Sequence, residues 1–288
     1  GGDPAGKDTT GKDTTIPHSF ERAGVSHWAG EPVRVLEQRW KIPLLEAHET
    51  LGSTNDRLRS MAEAGVPAYT VVVSEQQTAG RGRGGSSWVS PGGMGIWMSV
   101  LIPGEGGGKP PLSPLLVGVA VVRALHDRDI PLRAGLKWPN DVEVEGRKVC
   151  GILCEGTSTR GTVAGIGVNV TGEPALFPPE LRERATTLEA AMRGGASGGT
   201  DGALSRTGLA GAILRNLREL TDPVPDEIPE GVAREVERLD VLRGRRIRTS
   251  TGLEGRGAGI DSSGALLVAL AREGARVRVV AGSVRRLD

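Results

Sequence analysis

Residues 75–88 read EQQTAGRGRGGSSW, and this stretch follows a β-branched run at residues 69–74 that predicts a buried strand. Its glycines match the G-x-G-x-x-G spacing of dinucleotide-binding folds. Those folds need a helix directly after the glycines and an acidic residue about 20 positions further on. Here Pro91 interrupts any helix and the nearest acid, Glu105, lies in a predicted loop, so we exclude such a site. A Walker A loop is also excluded, because no Gly-Lys-Ser/Thr follows.

We interpret residues 80–88 as a mobile loop that wraps an anionic ligand. Backbone N–H groups and two arginines, Arg81 and Arg83, would bind the anion, and Trp88 could stack on a base. Two alternatives stay open on these residues alone. One is a glycine turn with solvated arginines, and the other is an arginine-glycine contact to single-stranded RNA.

Residues 137–141 read KWPND and form a second motif. Because Pro139 predicts a turn directly after a strand, Lys137, Asn140 and Asp141 leave a rigid element at fixed positions. The chain has only six lysines, and Lys148 opens the following strand. This favours a functional role over the alternative, a hairpin turn with an unrelated lysine.

Composition excludes several classes of protein. The chain has 288 residues, 44 of them Gly, with 38% hydrophobic and 25% charged residues, enough to bury a core. No apolar run reaches the ~18 residues of a membrane span, and a net charge of +1 gives no general attraction to nucleic acid or membranes. Cys150 and Cys154 lie too far apart along one strand to bridge, and the histidines show no metal-ligand spacing. We therefore predict a cytoplasmic protein without a metal site.

The pattern along the chain predicts three regions. Residues 1–33 contain GKDTT twice and predict a disordered tail, residues 34–239 mix helices and strands, and residues 240–288 show short strands with Gly turns, typical of a small β-barrel. Ser53 and Asp56 resemble a capping box at a helix start. The predicted strands are 42–46, 69–74, 95–102, 136–144, 147–155 and 162–170; the predicted helices begin at 53 or span 115–127, 209–220 and 231–239; and 193–206 is a Gly/Ser-rich insertion.

Five segments together resemble the biotin protein ligases, relatives of the lipoate ligases and of class II aminoacyl-tRNA synthetase catalytic domains. They are STN at 53–55, the stretch 75–88, KWPND at 137–141, KVCGILCE at 148–155 and GIGVN at 165–169. The resemblance spans about residues 40 to 288. It implies an α+β fold, with a mixed-sheet catalytic domain of the class II synthetase and biotin ligase type at 34–239 and an SH3-like β-barrel at 240–288.

The resemblance also implies an activity. Biotin and ATP, bound with Mg²⁺, give biotinyl-AMP and pyrophosphate, and a lysine of the biotin carboxyl-carrier domain of an acyl-CoA carboxylase then takes the biotinyl group. The implied catalytic residues are Lys137, Arg81 and Asp141. The implied biotin-binding residues are Ser53, Thr54, Asn55, Gln77, Gly80, Arg81, Gly82, Arg83, Lys137 and Gly151. The implied adenylate-binding residues are Arg83, Trp88, Asn140, Lys148, Gly165, Gly167 and Asn169.

These roles fit the chemistry of the two steps. The first step brings a carboxylate against an α-phosphate, so Lys137 would offset the repulsion between two anions. Closure of the Arg81–Arg83 loop would keep water from the mixed anhydride. In the second step the acceptor lysine, with a reference pKa of ~10.4, must lose a proton. Asp141 is the candidate for that proton, and Lys148 either neutralises phosphate or holds Asp141.

Larger members of the family carry an N-terminal winged helix, for which the 52 residues before Ser53 are too few. We therefore expect no DNA binding, no membrane partner, and a monomer or a homodimer. Two alternative functions stay open: a lipoate ligase of the same superfamily, and a nucleic-acid-binding module that uses Arg243–Arg248 together with the glycine-rich loop.

Overall fold

The structure is a computed structural model that describes residues 16, 21–104, 113–158, 161–194, 204–271 and 275–288. The strands are β1 His27–Trp28, β2 Glu31–Pro32, β3 Leu45–Leu51, β4 Val71–Gln77, β5 Gly95–Ile102, β6 Ala134–Lys137, β7 Asp141–Val144, β8 Arg147–Gly156, β9 Thr162–Asn169, β10 Arg246–Thr249, β11 Glu254–Ile260, β12 Leu266–Ala269, β13 Arg276–Val279 and β14 Val284–Arg286. The helices are α1 Val33–Trp40, α2 Thr54–Glu63, α3 Pro114–Asp127, α4 Leu188–Gly194, α5 Arg206–Thr221 and α6 Glu230–Leu239. None of these helices is long and apolar enough to cross a membrane.

A seven-stranded mixed sheet organises the larger part of the chain, in the order β3-β4-β5-β9-β8-β7-β6. Only β3 and β4 pair in parallel, and every other neighbouring pair is antiparallel. Helices pack on the sheet, which confirms the predicted α+β class. The strand prediction at residues 95–102 is confirmed to the residue, because a continuous apolar run there is bounded by a glycine and a proline.

The two faces of this sheet are covered by different helices. Along β5, Ile96, Met98 and Val100 point into the main core together with the apolar side chains of α3 and α5. The next residue, Leu101, joins a smaller core with Leu58 of α2 on the opposite face. This alternation is the period of two expected of a strand buried on both faces. The part of the sheet surface that lies beyond the N-terminus of α2 is left open for a cavity.

Residues after Asp240 form a five-stranded antiparallel sheet in the order β13-β12-β11-β10-β14. The predicted small β domain is thus confirmed, while its closure into a barrel stays a prediction. Ile247, Leu266 and Val268 are fully buried and belong to the same core as the large sheet. The small sheet is therefore packed onto the large sheet, and the two share one continuous core.

Three expectations need correction. The predicted tail extends too far, because residues 27–32 form a hairpin in which Trp28 is buried at the edge of the core. The predicted strand 136–144 is a hairpin, β6 and β7, because Trp138-Pro139-Asn140 makes the turn. Most of the tail and residues 195–203 of the predicted insertion lie outside the described residues, while α4 covers the start of that insertion.

The predicted capping box at α2 is also wrong. Ser53 has the extended backbone of an N-cap, but its side chain makes no capping hydrogen bond. Asp56 instead lies 2.5 Å from Arg59 and 2.8 Å from Arg81. The carboxylate of the first helical turn is therefore used to bind arginines and not the helix backbone.

Candidate active site

A cross-strand row of residues with two glycines at its centre crosses the open face of the large sheet. In register across five strands lie Trp97, Gly167, Gly151, Asp141 and Lys137. Directly opposed residues point to the same face of a sheet, so the two central glycines leave a hollow between Trp97 and the charged end of the row. Gly165, opposite Ser99 and Leu153, extends this hollow toward α2.

The hollow forms a cavity of about 370 Å³, which is within the size range of small-molecule sites. It is lined by Ser53, Thr54, Asn55, Gln77, Arg81, Gly82, Arg83, Ser86, Ser87, Trp88, Val89, Trp97, Met98, Asn140, Asp141, Lys148, Gly151, Ile152, Leu153, Gly165, Ile166, Gly167, Asn169, Phe177, Leu181, Ala185 and Ser283. The structure thus brings together all the predicted site residues except Lys137 and Gly80.

The N-terminus of α2 closes one end of the cavity with a polar cluster. The backbone N–H of Thr54 donates to Gln77 Oε1 at 2.9 Å, which satisfies one of the helix's free donors. Gln77 Nε2 donates to Ser90 Oγ at 2.9 Å, so the amide is fixed at both ends. Ser99 Oγ lies 2.7 Å from Thr54 Oγ1 and 2.6 Å from Asn55 Oδ1. Thr54, Asn55, Ser90 and Ser99 are buried and Gln77 is half-buried, and hydrogen bonds within the protein hold all five in place.

The glycine-rich loop is compact and hydrogen-bonded. The N–H of Trp88 donates to the Gly80 carbonyl at 2.8 Å, and the N–H of Gly82 donates to the Ser86 carbonyl at 2.7 Å. Gly84 and Gly85 have φ of 61° and 77°, a left-handed conformation that favours glycine. Gly80 therefore serves the loop's own closure and does not line the cavity.

The two arginines of this loop point in different directions. Arg81 donates to both oxygens of Glu155, at 3.0 and 2.7 Å, and to Asp56 at 2.8 Å. Arg83 donates from Nη1 to the carbonyl of Gly282 at 3.0 Å, in the small C-terminal sheet's last turn. The loop is thus tied to α2 and β8 on one side and to the C-terminal sheet on the other.

Trp88 lies over the two central glycines of the row. A Cβ built on Gly151 or Gly167 would come within 2.7 or 2.6 Å of its ring atoms, so only glycine admits the indole here. The ring meets Trp97 edge to face at 6.3 Å, and Lys148 Nζ lies 4.9 Å from its centre. Its Nε1 is buried and has no hydrogen-bond partner among the described residues.

Charged side chains surround the far end of the row. Lys148 Nζ lies 2.6 Å from Asp141 Oδ1, at the edge of the cavity. Lys137 Nζ lies 3.0 Å from Glu143 Oε1, outside the cavity lining, and Glu143 is 3% exposed. Arg286 of the C-terminal sheet reaches Glu143 Oε2 at 2.8 Å. Lys137 is thus held on the cavity's face of the sheet by a carboxylate that the C-terminal sheet also binds.

Two predicted asparagines brace the cavity wall. Asn140 Nδ2 donates to the Ile152 carbonyl at 2.7 Å, and Asn169 Nδ2 donates to the Thr186 carbonyl at 3.2 Å. Their contacts with a ligand stay predictions.

The cysteines of β8 are free, and burial raises the pKa of the partly buried Cys154 thiol to about 12, so at neutral pH it is not a nucleophile.

Several lining residues were not predicted. Leu153 belongs to the same face of β8 as Gly151, so the alternation of the strand contained that signal. Phe177 and Leu181 come from short 3₁₀ turns after β9, and Ser283 comes from the turn between β13 and β14. These three reach the cavity only through tertiary packing and have no local sequence signal.

Comparison with known proteins gives consistent results. Residues 48–172 match the Biotin/lipoate A/B protein ligase family. The chain is 34% identical over 232 residues to the bifunctional ligase/repressor BirA of Bacillus subtilis, covering 77% of this chain and 68% of that protein. It is 37% identical over 137 residues to the biotin–[acetyl-CoA-carboxylase] ligase of Mycobacterium tuberculosis, covering 45% and 50% of the two chains. The biotin protein ligase of Aquifex aeolicus, solved with biotin and ATP, has a TM-score of 0.68 at 28% identity, over 84% of this chain and 99% of that one.

Proposed function

The chain belongs to the biotin/lipoate A/B protein ligase family, and we propose that it is a biotin–protein ligase. It activates biotin with ATP, giving biotinyl-5'-AMP and pyrophosphate, and transfers the biotinyl group to a lysine of an acceptor protein with release of AMP. The observation that carries this proposal is one continuous cavity with a buried polar cluster at one end and a tryptophan over a glycine row at the other. Its two ends differ in chemistry as the two halves of biotinyl-AMP do.

The α2 end of the cavity suits the ring system of biotin. A cyclic urea offers both donors and acceptors, and Ser53, Thr54, Asn55 and Gln77 supply hydroxyl and amide groups for them. Because Gln77 and Asn55 are already held by neighbouring side chains, little ordering is left for the ligand to impose. The apolar side chain of Leu153, on the same face of β8 as Gly151, suits the aliphatic tail.

The opposite end of the cavity suits the nucleotide of MgATP. Trp88 offers a flat ring for adenine and a buried donor, Nε1, that a ligand acceptor can satisfy. The loop at residues 80–88 contributes backbone N–H groups and Arg83 beside it. In this assignment the loop excludes water from the mixed anhydride until the acceptor arrives.

Lys137 and Asp141 are assigned to the two chemical steps. Lys137 occupies the same cross-strand row as Gly151 and Asp141, so rotation of its side chain away from Glu143 brings the ammonium toward the carboxylate and α-phosphate. There it offsets the charge that builds up during adenylation. Asp141 then orients the acceptor amine and takes its proton, while Lys148 holds Asp141 at 2.6 Å.

The acceptor that we propose is the biotin carboxyl-carrier domain of an acyl-CoA carboxylase. The Mycobacterium tuberculosis relative is named for acetyl-CoA carboxylase, which supports this class of acceptor. ATP enters as its Mg²⁺ complex, as substrate. We place the reaction in the cytoplasm, where such an acceptor and ATP occur together.

The direct test is a labelling assay. The protein is incubated with biotin, ATP labelled at the α-phosphate, Mg²⁺ and a carboxylase acceptor domain. We expect labelled biotinyl-AMP, release of pyrophosphate and a biotinylated acceptor. Replacing biotin by lipoate should abolish product. Product with lipoate and none with biotin would identify a lipoate ligase, and no adenylate with either acid would refute the proposal.

A further inference from the structure

Glu155, at the end of β8, contacts two separate elements of the proposed site, helix α2 and the glycine-rich loop. Its Oε2 accepts from Asn55 Nδ2 at 2.8 Å and from Arg81 Nη2 at 2.7 Å. Its Oε1 accepts from Arg81 Nη1 at 3.0 Å, so the arginine is bound in a two-pronged arrangement. Asn55 belongs to the buried cluster on α2, and Arg81 belongs to the glycine-rich loop. A single carboxylate therefore joins the two parts of the site.

The charge of Arg81 is used within the protein. Asp56 and Glu155 face Arg81 and Arg59, with Arg59 2.5 Å from Asp56 and 3.6 Å from Glu155. Two carboxylates and two guanidinium groups balance, so this cluster has no net charge to offer an anionic ligand. What the loop presents to the cavity near Arg81 is its backbone.

We infer that Glu155 is a positioning residue, which fixes the glycine-rich loop through Arg81 and the biotin-contacting amide through Asn55. Arg81 is on this view the anchor of the loop and not a cation for the reaction. The role assigned to Glu155 rests on the proposed function, since it concerns how tightly the loop retains an adenylate. Asn55 and Arg81 both donate to Glu155 Oε2. A ligand that orders Asn55 therefore also favours the state in which Arg81 holds the glycine-rich loop to Glu155.

The first experiment needs no substrate. Glu155→Gln keeps the size of the side chain and one acceptor oxygen but removes the charge that Arg81 binds. We expect amide hydrogen exchange in residues 80–88 to become about tenfold faster, the effect of weakening one charge-assisted contact at a partly exposed site. The control is Glu235→Gln, which weakens a similar two-pronged pair with Arg123, between α6 and α3. It should leave exchange in residues 80–88 unchanged.

The second experiment measures the two contacts separately. In Glu155→Gln we expect the half-life of enzyme-bound biotinyl-AMP to fall about tenfold and the KM for biotin to rise several-fold, while kcat for adenylate formation stays within about twofold. Arg81→Ala, which removes the anchor of the loop, should shorten the half-life by at least as much. Adding Glu155→Gln to Arg81→Ala should shorten it no further but should raise the KM further, because a neutral amide oxygen accepts more weakly from Asn55 than a carboxylate does.

The outcomes separate the two proposals. If the wild type forms no biotinyl-AMP, the proposed function fails, and hydrogen exchange still tests the anchor. If the wild type forms it and Glu155→Gln behaves like Glu235→Gln in both loop exchange and half-life, the role of Glu155 is wrong. A purely structural effect would lower the active fraction and leave KM and half-life unchanged, and it would also overturn the inference.

Discussion

Gly165→Ala tests whether the glycine row and the buried polar cluster form one unit. A Cβ at residue 165 would lie 2.3 Å from Asn55 Oδ1, where ordinary contacts begin at 3.4 Å. Asn55 is 4% exposed and is held by Ser99 on one side and by Glu155 and the Leu153 carbonyl on the other. It cannot make room without giving up at least one of these hydrogen bonds.

The expected change in the free energy of unfolding follows from these contacts. Overpacking in a filled region costs about 1–3 kcal/mol, and replacing a strand glycine by alanine returns about 0.5–1 kcal/mol through the unfolded chain. We therefore expect the free energy of unfolding to fall by roughly 1–2 kcal/mol. The effect on biotin should be larger. Moving a positioning group by about 1 Å costs on the order of a hundredfold in reactivity, so kcat/KM for biotin should fall by about that factor.

Urea denaturation gives the change in stability, provided the slope of the transition stays constant. Pyrophosphate exchange at varied biotin concentration gives kcat/KM. The control is Gly156→Ala at the end of the neighbouring strand β8, where an added Cβ meets none of the described residues within 4 Å. If Gly165→Ala retains biotin-dependent exchange within twofold of this control, Asn55 is not held against the ligand as we describe.

Three further predictions follow from the site and its surroundings. Lys137→Ala should lower adenylate formation by about 10²–10³-fold, measured by pyrophosphate release, whereas Arg215→Ala, which removes an exposed cation on α5, should not; equal activity in the two would remove Lys137 from the first step. Arg83→Ala, which loses the contact with Gly282, should still form biotinyl-AMP but release it about tenfold faster, and an unchanged half-life would contradict the proposed closure. Burial raises the pKa of Asp240, so its contribution to stability is complete below the unfolded pKa of ~3.9 and is lost as pH rises through the folded pKa. Asp240→Asn should therefore raise the unfolding free energy by about 1 kcal/mol at pH 7 and by less at pH 4, and an equal change at the two pH values would refute this.

Where local pattern and burial agree, the fold could be predicted from sequence. The strand at 95–102 and the helix at 115–127 are nearly all-apolar runs, the strand followed by Pro103 and the helix preceded by Pro114, and both are found within one residue of the expected limits. α1 was missed although Val33, Leu36 and Trp40 are spaced as one helical face. No helix is predicted between the tail and the strand at 42–46, because burial of this face depends on contacts with residues far along the chain, such as that of Trp40 with Thr207.

The site, like the fold, has some features that the sequence predicts and others that it does not. Glycines and polar residues in short motifs could be placed near one another, because each motif sits at a strand or helix end. The residues that these side chains contact could not be predicted in the same way. Arg83 meets Gly282 across 199 residues, and Asn55 meets Glu155 across 100. The contact between Lys137 and Glu143 is the exception that sequence reasoning could have found, since a hairpin at Pro139 places these two side chains on one face.

The contact between Arg83 and the last turn of the C-terminal sheet has a consequence for synthesis. Ser53 is made early, whereas Gly282 and Ser283, which complete the cavity and hold the loop, are made 230 residues later. At ~5–20 residues per second, this separates the first and last walls by roughly ten to fifty seconds. Until residues 282 and 283 have been made, the nascent chain lacks the contact that holds the glycine-rich loop to the C-terminal sheet. Retention of the adenylate by this loop, as proposed, therefore depends on completed synthesis of the C-terminal sheet.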